Sequence, residues 1–179
     1  WCDDGMFCRD VVSIDQDGTN VRFHTNLQIQ EVCPSTAPLS LGKYNEIIKW
    51  SPDRTKILFA FYCEENGGSF YIANADSSDF KPLTSYPILY NASSFDWSPD
   101  SRQIAFDHRI NGDPANGGSA NISVVTVADG TMRALVTQEG PDSNPQWSPD
   151  GARIAFETSM ASPKFYFTNR RIATIPAAG

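Results

Sequence analysis

The sequence predicts an all-β protein built from repeated four-stranded antiparallel sheets, and three observations support this fold class. A similar decapeptide occurs three times, as WSPDRTKILF from Trp50, WSPDSRQIAF from Trp97 and WSPDGARIAF from Trp147. The copies are 47 and 50 residues apart, a period typical of stacked strand units. After each turn the apolar residues alternate as in a strand that is buried on both faces, as in Ile104-Ala105-Phe106.

The composition of the chain fits one globular domain that does not bind nucleic acid. The chain has 179 residues, of which 40% are hydrophobic and 12% aromatic, so it can bury a sizeable core. Its net charge of −7 argues against nucleic acid as a partner, because that affinity depends on Lys and Arg. No run of about 18 apolar residues is present, so no membrane insertion is expected. The absence of an initial Met and of a signal-peptide pattern predicts a processed or partial chain.

Each decapeptide starts with a turn that its proline and aspartate explain. Proline fixes φ at the first corner of the turn, and the aspartate after it bonds back to nearby backbone. The repeated structural positions are Trp50, Pro52 and Asp53; Trp97, Pro99 and Asp100; and Trp147, Pro149 and Asp150. The next residue is Arg54, Ser101 or Gly151, and we expect all three to be tolerated in a type I turn.

A second pair of strands follows each decapeptide. SFYIANADSSDFKPLT from Ser69 and NISVVTVADGTMRALVT from Asn121 each contain a β-branched or aromatic strand, an Asp/Gly/Ser turn and another strand. DVVSIDQDGTNVRFHT from Asp10 has the same pattern, and RIATIPAAG from Arg171 contains its first strand and turn. With the strands of one unit labelled a to d, the chain predicts c and d, then a to d twice, then a to c.

This pattern resembles the TolB-type β-propeller repeat, also called the PD40 or WD40-like repeat. Its hallmark is a Trp-Ser-Pro-Asp-Gly turn followed by an Ile-Ala-Phe strand, and the copy from Trp147 to Phe156 matches every key position. The resemblance covers almost the whole chain and implies four-stranded blades arranged radially. The predicted strands make three blades and one extra strand, whereas propellers typically close with about 4 to 8 blades. We therefore expect either a part of a larger propeller or an association between copies of the chain.

The phase of the repeat predicts where the blades lie. Residues 1–25 would hold strands c and d of a first blade, and residues 45–84 a second blade. Residues 93–137 would form a third blade, and residues 144–179 strands a to c of a fourth. Residues 26–44 are longer than the equivalent link before Trp147 and are interpreted as an insertion loop.

Four cysteines, Cys2, Cys8, Cys33 and Cys63, are compatible with two disulfides, for which three pairings exist. A zinc site is disfavoured because no CxxC pair occurs and neither histidine lies near a cysteine. We favour a bridge from Cys33 in the insertion to Cys63, and a second from Cys2 to Cys8, each stabilising by roughly 2–4 kcal/mol. Free buried thiols are the alternative.

Two Asn-x-Ser sequons, at Asn91 and Asn121, are candidate glycosylation sites. They point in the same direction as the disulfides, because both features are typical of exported proteins. The sequence therefore favours an extracellular, cell-surface or periplasmic location.

The segment from 107 to 121, DHRINGDPANGGSAN, is interpreted as a loop between strands b and c. Asp107, Asn111 and Asp113 are weak candidates for calcium ligands, because calcium takes oxygen donors. The alternative is a solvated hairpin loop shaped by Gly, Asn and Asp. The segment 15–20, DQDGTN, resembles part of a calcium loop too, but it stands where the other units have a turn.

Catalysis has little support in the sequence. No GxSxG, HExxH, P-loop or dinucleotide-binding pattern is present, and His24 and His108 are the only histidines available as a general base. No catalytic residue and no cofactor is predicted. We interpret the chain as a non-catalytic module, and the resemblance to TolB-type domains implies protein or glycan partners outside the cytoplasm. Other blades, other copies of the chain or an extracellular protein would be such partners.

Two alternatives remain open. One is the gating propeller of a prolyl oligopeptidase-type serine peptidase, whose catalytic domain would lie outside these residues. The other is a structural subunit of a cell-surface filament or sheath.

Overall fold

A computed structural model of the chain describes part of its length. The described residues are 12–14, 16–20, 22–23, 44–63, 67–85, 94–109, 120–160 and 169–179. The regular secondary structure within these ranges consists of β-strands. No helix in the described residues is long and apolar enough to cross a membrane.

The thirteen strands of the described residues form four antiparallel sheets. The first sheet contains β1 (Val12–Ser13) and β2 (Arg22–Phe23). The second contains β3 (Tyr44–Trp50), β4 (Lys56–Cys63), β5 (Gly67–Asn74) and β6 (Lys81–Pro82). The third contains β7 (Phe95–Trp97), β8 (Gln103–Arg109), β9 (Ala120–Thr126) and β10 (Met132–Val136). The fourth contains β11 (Asp142–Trp147), β12 (Arg153–Thr158) and β13 (Arg171–Pro176).

Each sheet is a meander, because strands that follow one another in the chain are neighbours in the sheet. The register places equivalent residues of the repeat opposite each other: Trp97 pairs with Ile104 in the third sheet, and Trp147 with Ile154 in the fourth. The predicted fold class, an all-β partial propeller of four-stranded antiparallel units, is confirmed.

The turns between the first two strands of a sheet share one backbone conformation. The N–H of Arg54 donates to the Ser51 carbonyl at 2.9 Å, and Ser101 and Gly151 close their turns in the same way. The residue after the aspartate has a positive φ in all three copies, at 59° for Arg54, 62° for Ser101 and 71° for Gly151. Arg54 and Ser101 thus form the same turn as Gly151, but with backbone strain, because a side chain is disfavoured in this left-handed region.

This geometry predicts opposite effects of two substitutions. Arg54→Gly should raise the free energy of unfolding by about 1 kcal/mol, because glycine adopts the left-handed conformation without strain. Gly151→Ala should lower the free energy of unfolding by a similar amount. Among the described residues its Cβ would meet Pro99 Cδ at 3.9 Å, an ordinary contact distance, so the expected cost comes from the backbone. Urea denaturation of both variants checks the pair. A loss of stability in Arg54→Gly would show that contacts of the arginine side chain outweigh the strain.

The packing interface between two adjacent sheets is called a seam below. The seam between the second and third sheets is a large apolar core. Its buried members are Leu58, Ala60, Phe70, Ile72, Leu83, Phe95, Trp97, Ile104, Phe106 and Val125. The Phe70 ring packs edge-on against Phe95 and Phe106, with centroids 5.4 and 5.1 Å apart. Aromatic burial of this kind is among the largest contributions to core stability.

The seam between the third and fourth sheets is apolar too, but its buried residues are smaller. They are Ala105, Ile122, Val124, Val136, Ile154 and Phe156, with Leu135, Trp147 and Ile175 half-buried against them. Trp147 and Phe156 therefore pack against the preceding sheet.

Candidate functional site

The residue before the tryptophan reaches across the seam in the second and third sheets. Lys49 donates from Nζ to the carbonyl oxygen of Phe95 at 2.6 Å, and its ammonium lies 4.7 Å from the Phe95 ring centroid. Asp96 Oδ2 accepts from the backbone N–H of Trp147 at 2.8 Å. Successive side chains of a strand point to opposite faces of the sheet. When the tryptophan faces the sheet on one side, the residue before it therefore faces the sheet on the other side. We call Lys49 and Asp96 the cross-seam residues.

Asp107 is a second link between the third and fourth sheets. It lies in β8, is 2% exposed and accepts from the backbone N–H of Ser94 at 3.2 Å, from Ser94 Oγ at 3.0 Å and from the N–H of Asn144 at 3.1 Å. The interpretation of Asp107 as a loop residue was wrong, because Asp107 lies in β8, and its carboxylate already accepts bonds from these donors.

The calcium prediction is otherwise not tested. Asn111 and Asp113 lie outside the described residues. Within the part of the chain that the structure describes, no group of three or more His, Cys, Asp or Glu side chains is placed to hold a metal ion.

His108 is buried in the seam between the second and third sheets. Its Nε2 lies 2.7 Å from Ser123 Oγ, and its ring centroid is 5.1 Å from that of Phe106. Burial lowers the pKa of His108 below its usual value, and the nearby Asp107 opposes this effect only in part. The imidazole is therefore neutral at pH 7, and at 8% exposure it packs within the scaffold.

Asp142 is the most buried carboxylate of the fourth sheet. It is fully buried, and its Oδ1 accepts from Gln138 Nε2 at 2.9 Å. Its Oδ2 has no hydrogen-bond partner among the described residues. Burial raises the pKa of Asp142, although bonds from Thr158 and Gln138 favour the ionised form.

The raised pKa of Asp142 predicts how stability depends on pH at this position. Between the ordinary aspartate pKa of 3.8 and the raised folded value, the folded state binds more protons than the unfolded state, so ionisation costs stability as pH rises. In Asp142→Asn this cost is absent, and the variant should gain stability relative to the parent chain between pH 4 and pH 7. Urea titrations at both pH values measure the difference. A difference that stays constant or shrinks would contradict the argument.

The turn aspartates have the opposite behaviour. Asp53, Asp100 and Asp150 each accept a bond from the serine two residues before and from the N–H two residues after, at 2.5–3.1 Å. The Ser51 hydroxyl and the Thr55 N–H lower the pKa of Asp53 to about 2, and equivalent bonds lower the pKa of the other two. Their carboxylates are occupied by their own turns.

The segment 15–20 follows the same logic. Asp17 accepts from the Thr19 N–H at 2.9 Å and from Thr19 Oγ1 at 2.6 Å, which lowers the pKa of Asp17. It is therefore a turn residue, as the repeat predicted.

Several predicted site residues lie outside the described residues, and the predictions made for them stay predictions. They are Cys2, Cys8, His24, Cys33 and Asn91. Cys63 ends β4, at the position from which the proposed bridge to Cys33 would start.

Asn121 does lie in the described part, in β9, where it is 6% exposed with a buried Oδ1 that has no partner there. A glycan on Asn121 does not fit this burial, because the amide nitrogen would have to turn out of the seam.

The cross-seam residues and the partners of Asp107 were not found by sequence reasoning. They are polar residues in strands or beside one, where a solvent-facing side chain is the ordinary expectation: Lys49, Ser94, Asp96 and Asn144. The signal available was position, because a polar residue stands immediately before each repeated tryptophan.

Comparisons with known proteins agree with this architecture. No protein-family model matches the sequence. The uncharacterized peptidase YuxL of Bacillus subtilis is 23% identical over 142 residues, a match that covers 63% of this chain and 21% of the peptidase. The chain thus spans about a fifth of the length of this curated relative.

Solved structures are similar over nearly the whole chain. TolB from Acinetobacter baumannii matches with a TM-score of 0.62 and 17% identity, over 93% of this chain and 35% of that one. The β-propeller domain of the Trilobed protease from Pyrococcus furiosus gives 0.58 and 16%, over 93% and 45%. Puromycin hydrolase gives 0.59 and 12%, over 94% and 22%. At these identities the similarity shows the fold, and the predicted resemblance to TolB-type propellers is confirmed at that level.

Proposed function

Because the chain has a TolB-like β-propeller fold, we propose that it belongs to a non-catalytic propeller module that binds or assembles with protein or glycan partners outside the cytoplasm. One observation carries this proposal: the buried ionisable side chains of the described part are bonded within the scaffold. Asp107 holds backbone N–H groups, His108 contacts Ser123, and Asp142 accepts from Gln138. These side chains stabilise the fold, so we expect the partner to be bound by the loops and the sheet edges.

The fourth sheet supports a protein partner. In the second and third sheets the third strand pairs on both sides, β5 with β6 and β9 with β10. No strand of the described residues pairs with the free edge of β13, and Ile172 on this strand is 72% exposed. An unpaired strand edge beside an exposed apolar side chain is a site at which another strand adds.

Light scattering of the purified chain over a range of concentrations tests assembly through the fourth sheet. We expect a mass that rises with concentration in the parent chain and a smaller mass in Ile172→Lys, because a charge there opposes packing of an apolar partner. Ala128→Lys, at an exposed turn of the third sheet, is the matched control and should behave like the parent. A monomer at every concentration would overturn self-assembly, including a filament or sheath, and leave binding of another protein or a glycan to be tested by capture.

The second candidate function is the propeller of a serine peptidase. It is supported by the match to the peptidase YuxL and by the similarity to puromycin hydrolase. The sequence of the full parent chain tests it: a GxSxG motif followed by Asp and His would place a hydrolase domain beside the propeller. The parent protein would then cleave peptide substrates, and replacement of the motif serine would abolish this. A parent chain without that motif overturns this candidate.

A further inference from the structure

The two described seams differ in what holds them together. The seam between the second and third sheets contains four buried aromatic side chains, Phe70, Phe95, Trp97 and Phe106. The seam between the third and fourth sheets contains one fully or nearly buried aromatic side chain among its described residues, Phe156 at 6% exposure. Because apolar stabilisation scales with buried area, the second of these seams is held less strongly by apolar contact.

In the seam between the third and fourth sheets, hydrogen bonds between side chains and backbone groups add to the weaker apolar contact. Asp96 and Asp107 of the third sheet each accept a backbone N–H of β11, from Trp147 and Asn144. Arg133 of β10 donates to the carbonyl of Ala177, just after β13. These contacts hold both the first and the last strand of the fourth sheet, and hydrogen bonds with one charged partner are stronger than neutral ones.

The first of the two seams has no described equivalent of the carboxylate bonds. There Lys49 bonds to a carbonyl and the Asp53 N–H donates to Ser101 Oγ at 3.0 Å, beside the large aromatic core. Loss of one such bond would leave the aromatic packing in place.

We propose that the fourth sheet is a detachable blade, held to the third sheet by the Asp96 and Asp107 carboxylates as a latch. When these two bonds and the bond from Arg133 to Ala177 break, β11 to β13 separate as a unit and open a lateral gap, while the second and third sheets stay packed. The gap would uncover the apolar face formed by Ala105, Ile122 and Val124, a surface on which another sheet can pack. This inference is independent of the proposed function, because it concerns motion of one sheet in any propeller that contains this chain.

Hydrogen–deuterium exchange with peptide-level readout tests the latch. In the parent chain, peptides from 142–158 and 171–176 should exchange faster than peptides from 56–60 and 103–108. Asp107→Asn and Asp96→Leu should each raise exchange in the fourth sheet by about tenfold or more, since each weakens or removes a bond with a charged acceptor. Exchange in the second sheet should stay unchanged.

Two controls separate a latch from general destabilisation. Lys49→Met removes the side-chain bond to the Phe95 carbonyl in the other seam and should leave exchange of β11 to β13 as in the parent. Asp150→Asn weakens a turn within the fourth sheet without touching a seam and should act only near that turn. Equal acceleration in all sheets, or no acceleration in β11 to β13 in either latch variant, would overturn the proposal. Two variants at different positions are used because Asp107→Asn also changes the bonds from Ser94, whereas Asp96→Leu does not touch them.

Discussion

Gly130→Ala should destabilise the protein by about 2–5 kcal/mol, one of the two largest effects that we expect from a single substitution. Gly130 lies in the turn between β9 and β10 and has a φ of +72°. A Cβ at this position would overlap the backbone carbonyl oxygen of Leu83, which follows β6 in the neighbouring sheet. The clash is with backbone, and Leu83 is itself fixed by its N–H bond to the Phe70 carbonyl at 2.8 Å. The seam cannot relax without losing that bond.

Gly18→Ala is the matched control for this prediction. Gly18 occupies the same turn position between β1 and β2 with a φ of +83°, but no atom of the described residues lies within 4 Å of its added Cβ. It should therefore cost only the backbone strain, about 1 kcal/mol. Guanidinium denaturation of the two variants measures the difference. Equal losses would show that the contact between Gly130 and Leu83 carries no weight.

Phe106→Ala should cost about 3–5 kcal/mol, because it empties the centre of the large apolar core between the second and third sheets. The Phe106 side chain is fully buried and touches aromatic rings on both sides, those of Phe70 and His108. Such a loss is a large part of the total stability of a domain. At the denaturant concentration that unfolds half of the parent protein, the variant should therefore be mostly unfolded. Denaturation followed by tryptophan fluorescence reports the change, since Trp97 lies in the same core.

Two further variants keep this prediction testable if Phe106→Ala does not fold. Phe106→Leu retains much of the volume and should lose roughly 1–1.5 kcal/mol. Phe80→Ala removes a ring that stacks on Tyr71 and packs edge-on against Phe59, and because Phe80 is only half-buried its loss should be smaller than that of Phe106→Ala. A loss below about 1 kcal/mol in Phe106→Ala would contradict the central role of this seam.

The fold could be predicted from the sequence because its signals are local and repeated. The Ser-Pro-Asp turn, the alternation of Ile104, Ala105 and Phe106, and the spacing of three tryptophans each act within one sheet. They predicted the strands in groups of two, four, four and three, and the structure contains these groups. Repetition corrected for the weakness of any one signal, since a chance pattern does not recur in register.

The contacts between the sheets could not be predicted in the same way. Asp107 looked like the start of a polar loop because Gly, Asn and Asp follow it, yet its donors come from Ser94 and Asn144, which are distant in sequence. Asn121 matched a sequon, but a sequon does not record burial. The left-handed turn position was hidden because Arg54 and Ser101 occupy a site where only the third copy has glycine.

The cross-seam residues also fix which sheet can stand beside which. Lys49 presents hydrogen-bond donors to a carbonyl oxygen, whereas Asp96 presents an acceptor to a backbone N–H. If the third and fourth sheets exchanged places, neither group would keep its present partner, and a polar group left without a partner in a seam disfavours such an arrangement. The variable residue before the repeated tryptophan therefore distinguishes the second sheet from the third, although their turns and strands are nearly identical.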